Sequence, residues 1–95
     1  MSSDPKRIHI LKRAAEVTGG ERQDSYGHVK DNLNNIAEFW QVYLTQRNNC
    51  LVEVSAQDVA WMMTMLKAAR SLAGYHEDNY VDAAAYAAIA GECAE

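Results

Sequence analysis

The side chains of this chain best placed to do chemistry are two carboxylates and two cations. Asp78 and Asp82 are four positions apart, so on a helix they share a face. Like charges in that relation repel by roughly 0.2–0.5 kcal/mol unless something positive lies between them. Lys67 follows Met63 by four positions and Arg70 follows it by seven, which puts both cations on the flank of Val59 and Met63, bordering the core. Tyr86 continues the Asp78 and Asp82 face one turn later. The spacing predicts Asp78, Asp82 and Tyr86 set against Lys67 and Arg70 across a pair of helices. One reading is a structural ion-pair network that fixes helix register. The other is a phosphate or metal-phosphate pocket, with Asp78 and Asp82 holding Mg²⁺ and the cations holding phosphate oxygens. Asn79-x-x-Asp82 adds an amide and a carboxylate on one face.

A second group lies upstream. Tyr26 precedes Gly27 where a turn is expected, and glycine's access to positive φ explains the pair structurally. Alternatively Tyr26 leans over the pocket and stacks on a base, while Asn32 and Asn35 of the following helix offer hydrogen bonds. Trp40 and Trp61 each sit within an apolar stripe and read as core anchors, and Met62, Met63 and Met65 as adaptable core filler. His9, His28 and His76 are too scattered to form a metal site. No nucleophile motif, glycine-rich phosphate loop or paired-histidine signature occurs.

The elements that must position these residues are helical throughout. Asp4 before Pro5 is a helix start and Gly19-Gly20 a stop, giving a helix over Pro5 to Thr18 with Ile8, Leu11 and Ala15 inward. Val29, Leu33, Ile36, Trp40 and Leu44 form one stripe of a second helix, with Asn32, Asn35, Phe39 and Tyr43 on a mixed face beside it. Cys50 to Val54 leans towards β-structure but has nothing to pair with, and reads as a packed loop. Ser55 caps a third helix, Ala56 to Ala73, with Asp58 at its third position; its apolar residues run round more than one side. The fourth, Asp78 to Glu92, is rich in alanine and admits close approach by another helix. The expectation is an all-α fold, one domain over residues 1–95, in a bundle of three to four helices that associates with copies of itself.

Composition bounds the partners. The chain has 95 residues, 48% of them hydrophobic, which allows one modest core. A net charge of −4 argues against a nucleic-acid polymer, since phosphate neutralisation supplies most of such affinity. No apolar run approaches the roughly 18 residues of a membrane span, and no signal peptide is visible. Two cysteines without a CxxC pair suit free thiols in a reducing, cytoplasmic compartment.

Asp24-x-Tyr26-Gly27, Asn32 through Trp40, Asp58-Val59-Ala60, Met62-Met63, Lys67-x-x-Arg70, Asp78-Asn79, Asp82 and Tyr86, in that order, resemble a phage and prophage family of small helical proteins of unknown function. That family is in turn distantly similar to MazG-like all-α NTP pyrophosphohydrolases, which are oligomeric, Mg²⁺-dependent and cleave nucleoside triphosphates to monophosphates and pyrophosphate. The resemblance implies a nucleotide or other phosphorylated small molecule as ligand, in the cytoplasm of a bacterial host. MazG-like enzymes carry Glu-Glu-x-x-Glu on one helix and Glu-x-x-Asp on a later one. Asn79-Tyr80-Val81-Asp82 stands in the second place with Asn replacing Glu, while Lys67-Ala68-Ala69-Arg70 occupies the helix where the first would fall. Binding of phosphate by Lys67 and Arg70 is therefore expected ahead of turnover. The rival expectation is a noncatalytic phage accessory or anti-defence protein that binds a host protein or sequesters a signalling nucleotide.

Overall fold

The structure, a computed structural model, describes residues 3–19 and 28–94. Among them are four α-helices and no strand. Helix α1 spans Lys6–Thr18 and starts at Pro5, whose carbonyl accepts from Ile8 N at 2.9 Å. Asp4 does not cap it; its carboxylate pairs with the Lys12 ammonium instead. The buried face of α1 is also rotated from the expected one. Ala14 is buried with Ile10 and Val17 half-buried beside it, while Leu11 stands out into solvent.

Helix α2, Val29–Asn48, presents the expected stripe over its first three turns: Leu33 is buried and Val29, Ile36 and Trp40 pack against the same core, joined by the buried Ala37, while Leu44 is half-buried outside that core. It ends where Asn49 turns left-handed at φ 60°, a conformation asparagine tolerates better than most side chains. The connection that follows is held by α2 itself. Val52 N donates to Thr45 Oγ1 and Val54 N to Gln41 Oε1, both at 3.0 Å, so two loop amides are satisfied without a strand partner.

Helix α3, Ala56–Arg70, opens with a full capping box: Asp58 N donates to Ser55 Oγ at 3.1 Å and Ser55 N to Asp58 Oδ2 at 2.9 Å. It tightens into a single 3₁₀ turn over Ser71–Ala73 and stops at Gly74, whose φ of 135° is open to glycine and strained for other residues. Helix α4, Glu77–Cys93, then runs back along α3.

This hairpin is the frame. At one end Ala56, Val59 and Ala60 of α3 meet Ile89, Ala90 and Cys93 of α4, and α2 closes over them with Leu33 and Ala37. At the other, α1 lays Ala14 against Val81 and Ala85 of α4. The described residues form two small cores, and the fold extends over 56 × 31 × 23 Å. Trp61 is not an anchor of either: α3 turns Ala56, Val59, Ala60 and Met63 inward, which leaves Trp61 on its outer side at 45% exposure. Trp40 is half-buried against the first core as expected.

Candidate functional site

The polar seam expected between the third and fourth helices forms around one contact. Lys67 Nζ lies 3.2 Å from Asp82 Oδ2, and the two side chains keep only 16% and 26% of their surface in water. The antiparallel run of α3 and α4 brings the last turn of one to the second turn of the other, so residues fifteen apart in sequence meet. Asn79, three positions before Asp82 and hence on its face, is the buried polar residue of the described chain. Its side-chain amide forms no hydrogen bond with the described residues, and none of its atoms is sealed from water. Tyr86 is half-buried against the first core one turn beyond Asp82.

The other nominated residues fall elsewhere. Asp78 does not face Lys67 or Arg70; it is 75% exposed and its Oδ1 accepts from Arg13 Nη2 of α1 at 3.2 Å. The cause is the docking of α1 on the opening turn of α4, which supplies a nearer cation. Arg70 lies exposed at the end of α3, and none of the described residues forms an ion pair with it. Asn32 and Asn35 are exposed on α2, which packs near the opposite end of the hairpin. Tyr26 lies outside the described residues.

Asp78 and Asp82 are thus committed to different cations on different helices. No three His, Cys, Asp or Glu side chains among the described residues are grouped to hold a metal ion. Two carboxylates already ion-paired to separate cations do not by themselves make a Mg²⁺ site.

A cluster between α1 and α4 was not foreseen. Arg13 Nη1 pairs with Glu77 Oε2, and His9 Nε2 stands 3.5 Å from Glu77 Oε1. Hydrogen bonding to Glu77 raises the Arg13 pKa further above its ordinary value, with Asp78 adding to it against some desolvation. The signal was present: His9 and Arg13 are four apart, on one face of α1. Beside them Lys6 Nζ sits 3.6 Å from the centre of the Tyr75 ring, itself 5.4 Å from Tyr80. These contacts fasten α1 to the start of α4. A surface cleft of about 200 Å³ opens beside the first turn of α3, lined by Lys30, Asn34, Ser55, Ala56, Gln57 and Cys93. Among the described residues, none of those nominated from the sequence as site residues lines it.

The geometry defines a small all-α protein with a paired charge seam between two antiparallel helices. Residues 9–94 match the domain of unknown function DUF6378, and the chain belongs to that family. Its relatives include the Gene 55 protein of Mycobacterium phage L5, 43% identical over 83 residues covering 86% of this chain and 50% of the relative. The Gene 55 protein of Mycobacterium phage D29 is 39% identical over 79 residues, 82% of this chain and 48% of that protein. The chain spans about half the length of these curated relatives. It is a phage-family protein of unknown function. No solved structure matches it. No helix among the described residues is long and apolar enough to cross a membrane.

Proposed function

We propose that the seam between α3 and α4 binds the phosphate of a nucleotide or another phosphorylated small molecule, in a MazG-like manner, within the cytoplasm of a bacterial host. The observation that supports this is the Lys67–Asp82 pair, sunk in the seam beside the buried Asn79, with Arg70 one turn further along and without a counter-ion among the described residues. Burying a lysine and an aspartate costs solvation that a pair of apolar side chains would avoid, so stability is a poor reason for polar groups there. A phosphate approaching this end of α3 meets two cations, and Asn79 has an amide free to donate. Asp82 holds Lys67 in place and gives it up when a doubly charged anion competes. The seam binds rather than turns over, because the described residues gather no second carboxylate cluster to support pyrophosphate cleavage.

Differential scanning of the chain with nucleoside mono-, di- and triphosphates, each with and without Mg²⁺, tests the reading. A ligand held only by the folded state at 100 times its Kd stabilises by about 2.7 kcal/mol, so a rise in Tm of about 10–20 °C is expected for the wild type. Arg70→Ala, an exposed change, should abolish the rise and leave the ligand-free Tm in place. Absence of any shift across the panel removes the phosphate reading. Pyrophosphate release abolished by Asp82→Ala would establish turnover in its stead.

A further inference from the structure

The register of α3 against α4 places a carboxylate near Arg70 that Arg70 does not use. Val59, Met63, Lys67 and Arg70 follow one another at intervals of four, four and three, a single line along the side of α3 that meets α4. Lys67 stands against Asp82, and in an antiparallel pair three residues forward on α3 is three residues back on α4. That sets Arg70 at the level of Asn79, next to Asp78 in the chain. Asp78 lies one turn before Asp82 on the same face, with about 5–6 Å between their Cβ atoms. The hairpin by itself would therefore offer Asp78 to Arg70.

Helix α1 takes Asp78 away. Arg13 is anchored to Glu77 through Nη1, and its planar fork presents Nη2 to Asp78 Oδ1 at 3.2 Å. Arg70, at the exposed end of α3, is left without an ion pair among the described residues. The Asp78 side chain is 75% exposed, so it has room to turn, and an exposed ion pair is weak enough to exchange one cation for another. Asp78 serves Arg13 because Glu77 already fixes that guanidinium in place. The hold of α1 itself is modest: Ala14 packs on Val81 and Ala85, and Lys6, His9 and Arg13 supply the polar contacts.

We infer that docked α1 keeps the seam open to phosphate by holding Asp78 away from Arg70, and that release of α1 closes it, an inference that rests on the seam being the phosphate site. With α1 in place, an anion at the end of α3 meets Lys67 and Arg70 while Glu77 and Asp78 are already neutralised by Arg13. With α1 lifted, both carboxylates stand unpaired on the first turn of α4, where the positive end of the helix dipole keeps them ionised. Asp78 then turns to Arg70, and a phosphate must displace it to bind. Arg13 is thus a positioning residue: it touches no ligand and sets the affinity through Asp78.

Isothermal titration with inorganic pyrophosphate, together with the Arg70 Nε–Hε resonance of the ligand-free chain, tests this. Arg13→Gln should weaken pyrophosphate binding about threefold, the scale of one exposed ion pair, and should shift the Arg70 resonance. Adding Asp78→Asn should restore both, although α1 is no better docked in the double variant. If Arg13→Gln does not fold, Arg13→Lys, which serves one carboxylate in place of two, should move both readouts the same way. An Arg70 resonance that the Arg13 variant leaves in place overturns the inference, and so does weakened binding that Asp78→Asn fails to restore. A wild type that binds no pyrophosphate, but whose Arg70 resonance responds as expected, overturns the phosphate reading of the seam and sustains the exchange of Asp78 between the two arginines.

Discussion

Lys67 and Asp82 hold opposite charges on adjacent helices with most of their surface out of water, and that fixes what their removal should do. Asp82→Ala strands a desolvated ammonium. Breaking a fully buried pair costs about 3–5 kcal/mol, and a pair that keeps about a quarter of its carboxylate surface wet should cost about 1–3 kcal/mol. The double change Lys67→Met, Asp82→Leu should cost less than Asp82→Ala alone, because neither charge is then left without its mate. Urea denaturation of the three proteins checks the order. A double variant as unstable as the single one would mean that the pair stabilises the fold in its own right. Arg13 behaves differently with pH. Its pKa is raised above the already high value of a free guanidinium, so the stability it contributes is present below that high range and lost only in strongly alkaline solution. Its bonds to Glu77 and Asp78 therefore impart no pH dependence between pH 6 and 9 from the guanidinium side.

At the scale of elements, the beginnings of helices differ in how well they are secured. α3 has a reciprocal capping box, whereas α1 has no capping side chain and relies on Arg13 and His9 to fasten it to α4. Ser55→Ala should remove about 1 kcal/mol of stability, read as a lower urea midpoint with unchanged slope. Arg13→Ala should speed amide hydrogen exchange throughout α1 and leave α2 and α3 at wild-type rates, since α1 docks on α4 alone among the well-packed pairs. Uniform acceleration over all four helices would show that α1 is integral to a single cooperative unit. These elements were legible to different degrees. The stripe of α2 and the Ser55 cap were evident because period and capping chemistry are local. On α1, Ile8, Leu11, Ala15 and Ile10, Ala14, Val17 both have helical spacing, and only the docking on Val81 and Ala85 selects the second set. Trp61 misled for a related reason: α3 is apolar on more than one side, so periodicity alone does not say which side meets its own chain. The Lys67–Asp82 contact was readable because both cations and acids bordered apolar stripes. The Asp78–Arg13 contact was not, because it depends on where α1 lands.

The whole molecule is a hairpin with a helix laid on each end, and its two cores share α4 as their common wall. Contacts within the α3–α4 hairpin close a short loop, so little chain entropy is lost before burial begins to repay it. α1 must span a far greater stretch of sequence to reach Val81 and Ala85. The order of assembly follows: the hairpin forms on the fast timescale of helical proteins with local contacts, α2 joins it, and α1 arrives last. Destabilising Val59, in the first core, should slow refolding, while destabilising Ala14, in the second, should leave the refolding rate nearly unchanged and quicken unfolding, a contrast that a chevron plot of each variant would display. α1 is then the part of the chain that can let go and return while the rest stays folded, a reversible clasp at the opening turn of α4.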